Sequence, residues 1–101
     1  FFRENLQPMV ADKSVLLLIS TVSTGKTIRR ALDCIRYFGG RTCGIAAVFS
    51  AIPMVEDIEI QSLFSTKDLP DYASFSTGDC PDCKAHRPID AMVNSFGYSK
   101  L

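Results

Sequence analysis

From Val15 to Ile19 the chain is aliphatic without interruption, and polar residues bound the run on both sides. A short continuous run of this kind fits a strand covered on both faces, as in a parallel sheet. Ser20–Gly25 follows as a loop of small residues. At Lys26 a helical period sets in. Ile28, Ala31, Leu32, Ile35 and Phe38 recur at i, i+3, i+4, i+7 and i+10, which lines one face of a helix. Arg29, Arg30, Asp33 and Arg36 fall on the opposite, solvated face. Gly39-Gly40 ends the helix, because glycine accepts the left-handed conformation that a helix C-terminus favours. Thr42–Phe49 is a second apolar strand and Ile58–Phe64 a third. Strand, helix and strand joined by short links predict a βαβ unit with parallel strands and a right-handed crossover.

Around this unit the pattern is weaker. Residues 1–12 are mixed and turn-like, with Pro8. Residues 65–88 are rich in Asp, Ser, Pro and Gly, and Tyr72 and Phe75 are their expected anchors. A long irregular stretch inside a small domain is either functional or poorly ordered. Ile89–Val93 predicts the start of a short helix, and Phe96 and Tyr98 are expected to pack. The expected organisation is one domain over 1–101, with 65–101 as an irregular C-terminal extension.

At 101 residues the chain is one small domain with a modest core. Eleven basic side chains balance eleven acidic ones. Zero formal charge removes any general electrostatic case for nucleic acid or an anionic membrane, so neither is an expected partner. No apolar run approaches the roughly 20 residues that span a bilayer. The N-terminus, Phe1-Phe2-Arg3-Glu4-Asn5, has neither an initiator Met nor the layout of a signal peptide, and the expectation is a trimmed chain or a fragment. Of the four cysteines, Cys34 falls in the predicted helix and Cys43 in a predicted strand, and only Cys80 and Cys83 are closely spaced. That is not a disulfide framework, and the expected setting is reducing and cytoplasmic.

The chemistry concentrates in "LLLISTVSTGKT", residues 16–27. A strand that ends in small residues and opens a helix offers free backbone N–H groups, and the helix dipole favours an anion there. Gly25 permits close approach, Ser23, Thr24 and Thr27 add hydroxyls, and Lys26 adds charge. Two phosphate loops fit this frame. The Walker A loop, G-x-x-x-x-G-K-[ST], matches at Gly25-Lys26-Thr27 but needs glycine where Ser20 stands. Its magnesium also needs an acidic strand end downstream, and Phe49-Ser50 offers none.

The other loop binds phosphoribosyl pyrophosphate. "SVLLLISTVSTGKT" resembles the signature of type I phosphoribosyltransferases, in which an aliphatic strand leads to two acidic residues, a spacer and Thr-Gly-x-Thr. The resemblance implies that Ser23, Thr24, Gly25, Lys26 and Thr27 hold the 5′-phosphate. The sequence departs from the family where Ser20 and Thr21 replace the acidic pair. Hydroxyls still hydrogen-bond a ribose, but they bring no negative charge to a developing positive sugar ring. "IQSLFSTKDLPDY" and "CPDCKAHRPIDAMVNSFGYSKL" resemble the ending of bacterial proteins related to orotate phosphoribosyltransferase.

The likeness runs from about Val15 to the C-terminus. It implies an α/β fold with three layers around a mainly parallel sheet, of which this chain is the second half. It further implies magnesium brought with phosphoribosyl pyrophosphate, and transfer of the phosphoribosyl group to orotate or a related base in pyrimidine nucleotide synthesis. The complement would be an N-terminal half or a partner in a homo-oligomer. The altered acidic pair keeps a second reading open, a sensing or regulatory module without turnover. A P-loop nucleotide-binding protein is the third.

Cys80-Pro81-Asp82-Cys83-Lys84-Ala85-His86 has the spacing of a zinc knuckle, with Cys80, Cys83 and His86 as ligands and Asp79, Asp82 or another copy as the fourth. A turn carrying two thiols is the plainer expectation. A thioredoxin-like motif would have to open a helix, and this one falls in the long loop. His86, the only histidine, is expected on the surface, and Arg87 as a solvated loop charge.

Overall fold

The structure is a computed structural model that describes residues 2–101. The aliphatic run extends into a longer strand, β1 (Ser14–Val22), and the helical period gives α2 (Lys26–Tyr37). β2 (Arg41–Ser50) and β4 (Ile58–Ser65) follow as expected. β1 pairs parallel with β2, and β2 parallel with β4, so the βαβ unit is present. A two-residue strand, β3 (Met54–Val55), turns back antiparallel on β4 and completes the order β1-β2-β4-β3. Its link to β4 is Glu56-Asp57, with φ of 49° and 65°. That pair of positive φ values is the two-residue turn that matches strand twist, built here without glycine.

The core sits between α2 and one face of the sheet. Ile28 and Leu32 of α2 are buried against Val22 of β1, Ile45 and Ala47 of β2, Ile60 of β4 and Val55 of β3, and Ile35 of α2 is buried as well. Full burial of each large aliphatic side chain contributes about 1.5–3 kcal/mol. Gly39, at φ 82°, ends the helix as the sequence predicts. Gly40 N–H then donates to Ile35 O at 2.8 Å.

Several expectations change. The Val15–Ile19 run is not covered on both faces. Leu16 and Leu18 of β1, Val48 of β2 and Leu63 of β4 are exposed, at 54%, 71%, 51% and 75%. α2 covers one face only, so the described residues form two layers rather than three. β1 is also a sheet edge, with β2 its one neighbour. Ser20 and Thr21 lie in β1 rather than in the loop, because pairing with β2 continues through Thr21–Phe49 and Val22–Ser50. The turn-like N-terminus contains α1 (Gln7–Val10), with Pro8 in its first turn, where a missing N–H costs nothing.

The C-terminal segment departs most. α3 is a single turn, Pro81–Lys84. Ile89–Val93 does not begin a helix. Instead β5 (Ala91–Asn94) and β6 (Gly97–Lys100) form an isolated hairpin. The reason is local. Asn94 Oδ1 accepts from Phe96 N–H at 2.9 Å, and Gly97 takes φ 128°, so the chain reverses before a helix can start. Tyr72 does anchor, its ring 5.1 Å from that of Phe49. Phe75, Tyr98 and Phe96 do not: they are exposed, Phe96 at 98%. The radius of gyration is 17.0 Å, against about 13 Å for a compact domain of this size, because this segment reaches away from the sheet.

Candidate functional site

β1, β2 and β4 run parallel, so their C-terminal ends meet at one end of the sheet. In open α/β sheets ligands bind outside these ends. Here the turn from β1 to α2 is only Ser23-Thr24-Gly25. Gly25 sits at the helix start with φ 84° and ψ 4°, and no side chain caps the helix. The first helical bond is Arg29 N–H to Gly25 O, at 3.0 Å. The N–H groups of Lys26, Thr27 and Ile28 therefore have no acceptor one turn back. They open onto a cavity of about 50 Å³ lined by Ile19 and by Thr21 through Ile28.

A side chain at Gly25 is disfavoured on two counts. Its φ is left-handed, and a Cβ there would lie 3.0 Å from both Ile52 Cδ1 and Val55 Cγ2. The segment after β2 thus props the loop from below. It is fastened in turn: Ala51 N–H donates to Val22 O at 2.8 Å, and buried Ser50 donates through Oγ to Ile52 O at 2.7 Å. This support was not anticipated from sequence. Its one visible signal is Ser50-Ala51-Ile52-Pro53, where a strand meets a turn.

The structure brings Ser23, Thr24, Gly25, Lys26 and Thr27 together around one concavity. Thr21 also lines it, but Ser20 does not. Ser23, Thr24, Lys26 and Thr27 are exposed, and no carboxylate borders the cavity. Among the described residues no ion pair engages Lys26. The site is therefore a small pocket of N–H donors, hydroxyls and one ammonium, suited to a phosphate or similar anion. Of the helix arginines, Arg36 pairs with Asp33 and Glu56, and the Glu56 hydrogen bond raises its pKa further.

The second cluster is α3 and its flanks. Cys83 N–H donates to Cys80 Sγ at 3.4 Å. His86 takes φ 54°, and its backbone N–H donates to Cys83 O at 3.1 Å. Arg87 pairs with Asp82 at 2.8 Å, and Lys84 lies 4.0 Å from Asp79. Cys80 and Cys83 are together, but among the described residues no three His, Cys, Asp or Glu side chains converge as a metal site.

Compared with known proteins, the chain matches no family model and no curated relative. No helix among the described residues is long and apolar enough to cross a membrane.

Proposed function

We propose that the chain is phosphoribosyltransferase-like and binds the 5′-phosphate of phosphoribosyl pyrophosphate, or of another phosphorylated ribose, at Ser23–Thr27. One observation carries this reading: the three-residue turn aims unpaired N–H groups and Lys26 into a pocket without carboxylates. The turn is too short to wrap successive phosphates as a Walker loop does, which favours a monophosphate over a nucleoside triphosphate tail. The parent activity would be transfer of phosphoribosyl to orotate or a related base.

The residues present do not supply a magnesium site, since hard cations take carboxylate and other oxygen ligands and no carboxylate lines this pocket. Any magnesium would be held by the pyrophosphate itself. A specific observation also favours the sensing module: Thr21 reaches the pocket with a neutral hydroxyl, and Ser20 stands outside it. Binding without turnover is the consequence of that arrangement. The bare sheet face is where a complement would sit, either a second copy or an N-terminal half.

Calorimetry on the chain with ribose 5-phosphate and with phosphoribosyl pyrophosphate tests this. Both should give heat, Lys26→Ala should weaken each, and ATP should compete poorly. Absence of heat with both sugars overturns the reading.

A further inference from the structure

Phosphate binding makes no use of the segment Cys80–Arg87. The geometry points to a redox-active dithiol there: Cys80 and Cys83 form a disulfide reversibly, by exchange with small-molecule disulfides of the glutathione class. This is independent of the phosphate loop.

The two cysteines sit one helical turn apart on a turn that is fully closed. Lys84 N–H donates to Cys80 O at 3.0 Å, Ala85 N–H to Pro81 O at 3.0 Å, and Arg87 N–H to Asp82 O at 2.9 Å. Pro81 opens the turn, and the Arg87–Asp82 pair clasps it. The Cys83 N–H bond to Cys80 Sγ, at 3.4 Å, folds the Cys80 side chain over the turn toward Cys83. A disulfide brings the two Cβ atoms to about 3.5–4.5 Å, so closing the bridge tightens this one exposed turn. The motif therefore does open a helix, with Cys80 as the residue before its first turn.

The sulfurs are also made unequal. Cys80 Sγ accepts from the Cys83 N–H. That bond, together with the Cys83 thiol beside it, holds the Cys80 pKa below the ordinary thiol value. The neighbouring Cys80 sulfur and its negative charge hold the Cys83 pKa above it, and the Asp82 carboxylate opposes ionisation of both. Asp79, Lys84, His86 and Arg87 are the other charged or titratable groups along this turn. Cys80 is partly exposed and Cys83 exposed, so a small disulfide reaches them. Cys34 and Cys43 belong to α2 and β2 and have no such neighbour in sequence.

In the forward step the Cys80 thiolate attacks one sulfur of the small disulfide, making a mixed disulfide and releasing one small thiolate. Cys83 then loses its proton to solvent and attacks Cys80 Sγ, expelling the second small thiolate. Two protein thiols are oxidised by two electrons, and one small disulfide is reduced to two thiols.

The test equilibrates the full chain in buffers of stepped reduced-to-oxidised glutathione ratio, quenches with acid, alkylates, and maps peptides by mass. The expected product is an 80–83 bridge, two hydrogens lighter, that disappears when reduced glutathione is restored. Cys83→Ser should stop at glutathione on Cys80. Cys80→Ser should likewise form no bridge and stop at glutathione on Cys83. Three results overturn the proposal: a mixed disulfide on Cys80 that wild type does not resolve, bridges through Cys34 or Cys43 instead, or equimolar zinc alone shielding both thiols from alkylation. Circular dichroism of each variant confirms that it is folded.

Discussion

Every buried apolar side chain among the described residues lies between Val10 and Ile60, and none lies in 66–101. Yet the C-terminal segment is not poor in apolar residues: Ile89, Met92, Val93, Phe96, Tyr98 and Leu101 are all exposed. The two regions are ordered by different means. The sheet and α2 are held by contacts between residues far apart in sequence. The α3 turn and the β5–β6 hairpin are held by hydrogen bonds spanning a few residues, among them Phe96 to Asn94 and Arg87 to Asp82. Isolated hairpins and single turns are marginal in water. The comparison teaches that apolar composition alone does not make a core; a period that gathers side chains on one face does.

The largest expected effect separates the regions directly. Leu32→Ala empties a fully buried position and should cost about 2–5 kcal/mol in denaturant unfolding. Phe96→Ala, at the hairpin tip, should stay within about 0.5 kcal/mol of wild type. A comparable loss for both would mean that the hairpin packs in solution. Next is Gly25→Ala, which forces a Cβ into left-handed backbone and against Ile52 and Val55. About 1–2 kcal/mol of strain is expected, together with loss of ribose 5-phosphate heat in calorimetry.

A smaller effect of opposite sign is expected at the β3–β4 turn. Asp57→Gly relieves a positive φ of 65° and should raise stability by up to about 1 kcal/mol, read as a higher melting temperature. The smallest concerns the bare face. Leu18→Thr and Leu63→Thr should each change stability of the chain by no more than about 0.5 kcal/mol, because both side chains are already in water. A large loss at either would show that the face is covered in solution.

The βαβ unit was legible because its signals are strong and local. The Ile28–Phe38 period, the Gly39 stop and the aliphatic runs each act within a few residues. β3 was not legible, since two residues carry no period. The open face was missed because continuous Val15–Ile19 looks the same whether or not a second layer is present. Burial is a property of neighbours. At the site, the position of Ser23–Thr27 between strand and helix could be read directly, since an aliphatic run ends before it and a helical period begins at its end. The boundary was misplaced at Ser20 and Thr21, where pairing with Phe49 overrides small-residue preference. Ile52 and Val55 as supports were invisible, because contact across some thirty residues leaves no mark on spacing. The hairpin was missed because Ile89–Val93 is too short for its period to decide, and the Asn94 turn outweighed it.

The prop under Gly25 has a consequence in time. Ile52 and Val55 leave the ribosome well after Ser23–Thr27, and β2 must pair with β1 before Ala51 can reach Val22. A nascent chain that ends at the loop would carry every residue of the proposed phosphate site and still have no cradle. Anion affinity would arrive in one step, when the strand after the crossover locks into register, and would report the birth of the sheet rather than of the loop.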